Sequence, residues 1–175
     1  MSRRSMIETR GDELLVADGT LITSKTDLHG NIIYCNEDFL AYSGYSEEEL
    51  FMRPHNIIRH PDMPRAAFKL LWDTIQQGKE FFAFVKNLTR DKKFYWVFTN
   101  VTPSYDAKRE IISYYSVRRK PARSAINTIV PLYQAMLEAE KKGGIQAGVE
   151  TLSETLKKIG KPYNQVIYEL QEEIL

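Results

Sequence analysis

Two β-rich runs, a series of short helical pieces and then three more β-rich runs predict an α+β domain. Strands and helices are segregated along the chain rather than alternating, which places the helices on one face of a five-stranded antiparallel sheet. A third observation is the change of hydrophobic period after Pro121, from the strand period of two to helical stripes, which adds a C-terminal helical region. The organisation expected is a lead segment over residues 1–20, an α+β body over 21–120 and helices over 121–175.

The lead segment has mixed charge and one apolar cluster, Leu14-Leu15-Val16, and reads as a short helix docked on the body. Leu21–Thr26 and Ile32–Cys35 flank Asp27-Leu28-His29-Gly30-Asn31, two β-rich runs around a Gly/Asn turn, hence a hairpin. Asn36 can cap a turn through Phe39-Leu40. Ser46 with Glu49 fits a capping box, and Pro54 limits the helix that follows. Asp62 is placed to cap a longer helix whose apolar positions Phe68, Leu71, Trp72 and Ile75 follow the i, i+3, i+4, i+7 stripe, with Gly78 at its end.

Residues 81–90, 94–105 and 111–119 are aromatic and β-branched and are joined by short polar links, the pattern of an antiparallel meander. Beyond Pro121, apolar stripes run through Ile126, Ile129, Val130, Tyr133, Met136 and Leu137, then through Val149, Leu152, Leu156 and Ile159. A third stripe comprises Tyr163, Val166, Ile167, Leu170 and Ile174. Gly143-Gly144 and Gly160-Lys161-Pro162 punctuate them.

The 175 residues carry 24 basic and 23 acidic side chains, a net charge of +1, so no strong field is available to grip a nucleic-acid backbone. The single cysteine, Cys35, rules out an internal disulfide framework and a cysteine-based zinc site, and suits a reducing compartment. No apolar run approaches the ~18 residues of a membrane span, and the basic N-terminus meets Glu8 before any apolar stretch. A cytoplasmic protein without a membrane span is expected.

The densest group of chemistry-bearing residues is Pro54-His55-Asn56-Ile57-Ile58-Arg59-His60-Pro61-Asp62-Met63-Pro64. By residue type alone it reads as readily as a proline-bounded turn with solvated charges. His55 and His60 stand five apart across a loop without a cysteine or carboxylate cluster, a poor metal-site pattern, and no metal is assigned. There is no Gly-x-Ser-x-Gly elbow, Walker lysine loop or Gly-x-Gly-x-x-Gly turn, so no catalytic set is identified and the chain does not read as an enzyme.

The opening Ile22-Thr23-Ser24-Lys25-Thr26-Asp27, Tyr34-Cys35-Asn36-Glu37-Asp38-Phe39 and Ser43-Gly44-Tyr45 resembles that of a PAS sensor domain. Gly44-Tyr45, Pro54-His55-Asn56, Arg59-His60-Pro61-Asp62-Met63-Pro64, Ala67-Phe68, Trp72, Val85-Lys86-Asn87 and Tyr95-Trp96-Val97 resemble, more narrowly, the FAD-binding PAS domain of bacterial aerotaxis and energy-taxis receptors. The resemblance covers about residues 20–138, including Pro131-Leu132-Tyr133. It implies the PAS fold and a non-covalent FAD between sheet and helices, with Asn36, Arg59, His60, Asp62, Phe68, Trp72, Asn87 and Tyr95 as the flavin-associated positions.

Chemistry is consistent with several of these assignments. Arg59 offers a planar cation for a phosphate or carbonyl, Asn87 an amide that both donates and accepts, and Phe68 and Trp72 aromatic walls. The same aromatics also suit a plain core, and Asn87 and Tyr95 also suit ordinary sheet positions. Two segments depart from the pattern. Gly78-Lys79-Glu80-Phe81-Phe82 stands where similar domains carry Gly-x-x-Trp, and Asp91-Lys92-Lys93 replaces an Asn-Gly turn. Cys35 lies at the end of the second run, outside the helix where a light-driven flavin adduct needs its thiol; His60 keeps a haem alternative open.

If Asn87 and Tyr95 face inward, Phe82, Phe84, Trp96 and Phe98 face outward and need cover from the lead segment, the C-terminal helices or a second subunit. The receptors this chain resembles continue into a membrane anchor and a signalling rod. The resemblance is therefore to the split arrangement, a stand-alone FAD-PAS protein serving a separate membrane-bound methyl-accepting-type signal transducer; a homodimer is the other partnership considered. Competing readings are a haem- or other ligand-sensing PAS module and a cofactor-free dimerisation domain.

Overall fold

The structure, a computed structural model, describes residues 3–173. Its central sheet is built from β3 (Ile22–Thr26), β4 (Ile32–Cys35), β5 (Phe81–Leu88), β6 (Phe94–Tyr105) and β7 (Ile111–Arg119). These five strands are antiparallel, as expected, and lie in the spatial order β4-β3-β7-β6-β5. The lead segment departs from expectation. After a single 3₁₀ turn over Arg3–Met6 it forms a two-residue hairpin, β1 (Thr9–Arg10) with β2 (Glu13–Leu14). A parallel bridge, Glu13↔Phe94, attaches this hairpin to β6 and makes the sheet mixed and seven-stranded.

Between β4 and β5 lie α1 (Glu37–Ser43), α2 (Glu47–Leu50), a 3₁₀ turn (His55–Ile58) and α3 (Arg65–Ile75). Asn36 caps α1 by accepting from the Phe39 N–H, and Ser46 and Glu49 form the capping box of α2. Asp62 does not cap α3. Pro64 occupies the cap position without a side-chain bond, and the orphan donors at the start of α3 are met from another element: Arg65 N and Ala66 N donate to the Glu140 carboxylate. Asp62 instead pairs with Lys86 on β5.

Strand alternation sends Ala83, Val85 and Asn87 inward and Phe82, Phe84 and Lys86 outward along β5, with Tyr95, Val97 and Thr99 inward and Trp96 and Phe98 outward along β6. The outer aromatics are covered by the C-terminal helices. Phe84, Trp96 and Phe98 share one cluster with Ile126, Ile129, Tyr133, Met136, Leu152 and Ile167. Burying side chains of this size contributes about 1.5–3 kcal/mol each, which is why an apolar outer face draws the tail back onto it. Polar bonds fix the register: Tyr133 Oη donates to the Phe84 carbonyl at 2.8 Å, and Asn164 bridges the Phe82 N–H and the Glu80 carbonyl.

The tail comprises α4 (Arg123–Ile159) and α5 (Tyr163–Gln171). Gly144 breaks α4 with φ 71° and ψ −169°, a combination open essentially to glycine alone, so two helical halves meet at the predicted Gly-Gly punctuation. The three predicted stripes form the buried sides of these helices, apart from Ile159, which is exposed, and Ile174, which lies outside the described residues.

Candidate ligand cavity and its buried arginine

The inner face of the sheet does not close on the helices. A cavity of about 280 Å³ remains, floored by Val85, Asn87, Thr99, Val101, Ser116 and Arg118. The helix α3 supplies one wall through Phe68, Leu71, Trp72 and Ile75, and the segment Pro54–Arg59 and the β3–β4 turn supply the rest. His29 and Asn56, both exposed, mark its open side. The loop is held against the sheet by a backbone bridge between Arg59 and Asn87, so the motif that follows Pro54 acts as a lid on the β5 edge. Trp72 meets Tyr114 edge-on at 5.6 Å between ring centres, and it closes on Gly30 so tightly that a Cβ there would lie 3.0 Å from its indole.

Two polar atoms on the floor lack a full hydrogen bond, the Asn87 Nδ2, which faces the phenol of its cross-strand neighbour Tyr95, and the Thr99 Oγ1. Both residues are buried, at 3% and 4% exposure, and a buried donor without a partner is costly. The third polar feature is Arg118, only 4% exposed and the cross-strand partner of Thr99. Its Nη1 donates to Ser24 Oγ at 3.0 Å and its Nη2 to His55 Nε2 at 2.7 Å. His55 must therefore carry its proton on Nδ1. Although His55 as a whole residue is half-buried, its ring is enclosed. Burial, reinforced by the Arg118 charge, pushes it down to about 3, so it is neutral at physiological pH. Burial likewise lowers Arg118, to about 10, leaving it charged.

Of the eight positions named by resemblance, Arg59, Phe68, Trp72 and Asn87 converge on the cavity. The Arg59 guanidinium stacks over Phe68 at 4.3 Å and donates to the Met63 carbonyl. The other four lie elsewhere. Asn36 ties α1 to β3 by accepting from Thr23 N and donating to the Leu21 carbonyl. Tyr95 is wholly buried beside Tyr42, and burial pushes its hydroxyl up to about 12. Asp62 is exposed beside Lys86, and His60, which is not among the cavity residues, accepts from Asp62 N while its ring meets Phe94. Cys35 is buried in the core beneath α1, and it is not among the cavity residues.

Arg118 and Thr99 on the floor, with Ser24 and His55 against Arg118, complete the site, and none of the four was named as flavin-associated from sequence. His55 fell inside the noted motif, but nothing in the spacing of Ser24 and Arg118, 94 residues apart, signals their contact.

Comparison with known proteins agrees with this geometry. Residues 32–118 match the family described as the PAS fold. The chain is 37% identical over 134 residues to the aerotaxis receptor of Escherichia coli (strain K12), covering 77% of this chain and 26% of the receptor. It is 28% identical over 105 residues to the nitrogen fixation regulatory protein of Klebsiella oxytoca, covering 60% of this chain and 21% of that protein. The chain thus spans about a quarter or less of the length of these relatives. Among solved structures, the light-state structure of the blue-light photoreceptor Aureochrome1 LOV superposes with a TM-score of 0.58 at 22% identity, over 63% of this chain and 88% of that one, a likeness of fold alone. The strand order and these matches together establish that residues 32–118 of the chain adopt the PAS fold.

Proposed function

We propose that this PAS domain holds FAD non-covalently, its ring system seated between α3 and the inner sheet face, and reports the redox state of the cofactor to a chemotaxis signal transducer. The observation that carries the reading is the pair of buried donors without a full hydrogen bond, Asn87 Nδ2 and Thr99 Oγ1, on residues that floor a largely apolar cavity. Under-bonded donors on residues that line a hollow fit a planar heterocycle whose edge presents acceptors. The volume, near the low end of the ~300–1,000 Å³ of small-molecule pockets, suits the ring system of FAD, with the remainder of the dinucleotide outside it.

In this reading Asn87 and Thr99 orient the ring edge, and Trp72 and Phe68 exclude water from its faces. Arg59, half-buried beside the exposed Asn56, offers its cation to the phosphates. The bound flavin supplies reversible electron acceptance; the protein responds through the difference in contact energy between its states. Asn87 sits on β5, whose outer face touches Tyr133 and Asn164 in the tail. The helix α3 walls the cavity and begins on Glu140 of α4. Both paths lead from the ring to the C-terminal helices, which we place as the docking side for a separate membrane-bound methyl-accepting-type transducer in the cytoplasm. Among the described residues no helix is long and apolar enough to cross a membrane. We assign no catalysis.

The test is direct. Purified protein should carry a flavin absorption spectrum, or acquire one on incubation with FAD, and release FAD on denaturation. A colourless protein that cannot be loaded overturns the proposal.

A further inference from the structure

Among the described residues lining the cavity are two arginines and no Asp or Glu. Arg59 can spread its charge over Phe68 and toward solvent, and it senses Glu140. Arg118 has no such outlet. Its partners are a serine hydroxyl, a neutral imidazole nitrogen and the face of Phe39 at 5.5 Å, and among the described residues the one ionisable group besides His55 that acts on it is the Tyr95 phenol, which burial keeps protonated. A buried cation without a counter-ion is costly unless something else supplies the negative charge. Ser24 and His55 hold its two Nη atoms, so the guanidinium is fixed rather than free to turn toward water. Beside it stand the unpartnered Thr99 hydroxyl and, farther along the floor, the Asn87 amide.

We propose that Arg118 is the counter-charge of the cavity and selects a ring that is reduced but singly protonated, and hence anionic, over the neutral, doubly protonated form. This rests on the flavin reading and adds to it the charge state that is bound. In the step implied, the oxidised ring accepts two electrons from a low-potential donor and one proton from solvent. The second proton that free reduced flavin takes up under acidic conditions would not be taken up, because Arg118 would hold the remaining negative charge. An opposite charge within ~4–6 Å moves an ionisation by about 1–3 pKa units, so the proton affinity of the reduced ring should fall at least about tenfold. His55 acts as a positioning residue. Its neutral Nε2 takes one Arg118 donor and leaves the charge itself uncompensated.

The experiment is an equilibrium redox titration of FAD-loaded wild-type protein and of Arg118→Gln, with dithionite as reductant and mediator dyes, at a series of pH values from acidic to neutral. The wild-type midpoint should fall with pH at the slope of one proton per two electrons, down to pH values at which free flavin already follows the two-proton slope. Arg118→Gln should return to the two-proton slope there, and Arg118→Lys should keep most of the one-proton behaviour. A two-proton slope in loaded wild type, or an unchanged slope in loaded Arg118→Gln, overturns the proposal and leaves the flavin reading standing. Wild type that binds no FAD overturns both. Should Arg118→Gln fail to fold, the wild-type slope decides alone.

Discussion

Glu140 of α4 receives the first two backbone N–H groups of α3, with Ala66 N 2.8 Å from its Oε1 and Arg65 N 3.1 Å from its Oε2. The carboxylate is buried, and Gly148 lies so close that a Cβ there would fall 2.8 Å from the Glu140 Cγ, so Glu140 acts as an internal cap supplied from 74 residues away. The helix that walls the cavity is thereby anchored to the tail at its N-terminal end.

Removing that anchor leaves two donors unmet, the buried Ala66 N–H and the part-buried Arg65 N–H. Glu140→Ala should lose about 2–3 kcal/mol in denaturant unfolding, as expected when a charged acceptor of backbone donors is deleted. Glu140→Gln, which keeps one carbonyl acceptor but no charge, should lose less. Equal stability for all three proteins would show that the start of α3 is satisfied in another way.

Gly30 meets Trp72 at the cavity wall with φ 85°. Gly30→Ala should cost about 1–2 kcal/mol for the left-handed backbone, and it should also displace the indole, because the new methyl falls 3.0 Å from it. A lower melting temperature with a shifted tryptophan emission is expected. A loss of stability with unchanged emission would separate the backbone strain from the ring contact.

The buried His55 predicts a pH dependence whose sign is fixed. Its folded-state value, about 3, lies below the ordinary 6.5, so the unfolded chain binds more protons between those values and stability falls as the solution is acidified from 6.5. His60 is also lowered, by burial and then by Lys86, and contributes in the same direction. Asp62 and Asp91, both held down chiefly by side-chain hydrogen bonds, contribute only below the carboxylate range. Urea midpoints for wild type and His55→Gln should therefore converge as pH falls from 7 toward 4. Parallel curves would mean that His55 binds its proton equally well in the folded and the unfolded chain.

Tyr133 Oη is bonded to the Phe84 carbonyl, and Tyr133→Phe should cost about 1 kcal/mol in unfolding while leaving FAD affinity unchanged, since Tyr133 lies on the far side of the sheet. A loss of affinity in that variant would show that the tail and the cavity are already coupled in the resting protein.

The strands and most of the caps were legible because they are local. Alternation fixed β5 and β6, the Gly/Asn turn fixed the β3–β4 hairpin, and Ser46-Glu49 fixed α2. Asp62 misled because its spacing ahead of an apolar stripe imitates a cap, whereas the real acceptor, Glu140, is remote in sequence. The lead hairpin was hidden because two-residue strands have no periodicity to read; only its bridge to Phe94 defines it. In the cavity, the aromatic wall and Asn87 follow from motif and stripe. The Arg118–Ser24–His55 group does not, since a charged residue near a strand end reads as solvated until the sheet brings three strands' worth of chain around it.

The central claim is that the hollow over Asn87 and Thr99 is a flavin seat. The sharpest measurement is a fluorescence titration of FAD with the apoprotein, run in parallel on the double variant Asn87→Leu/Thr99→Val, with circular dichroism confirming the fold. Saturable one-to-one binding by wild type, weakened at least about tenfold in the variant that lacks both donors, is the predicted result. Absence of binding by wild type, or equal affinity in a folded variant, would contradict the account.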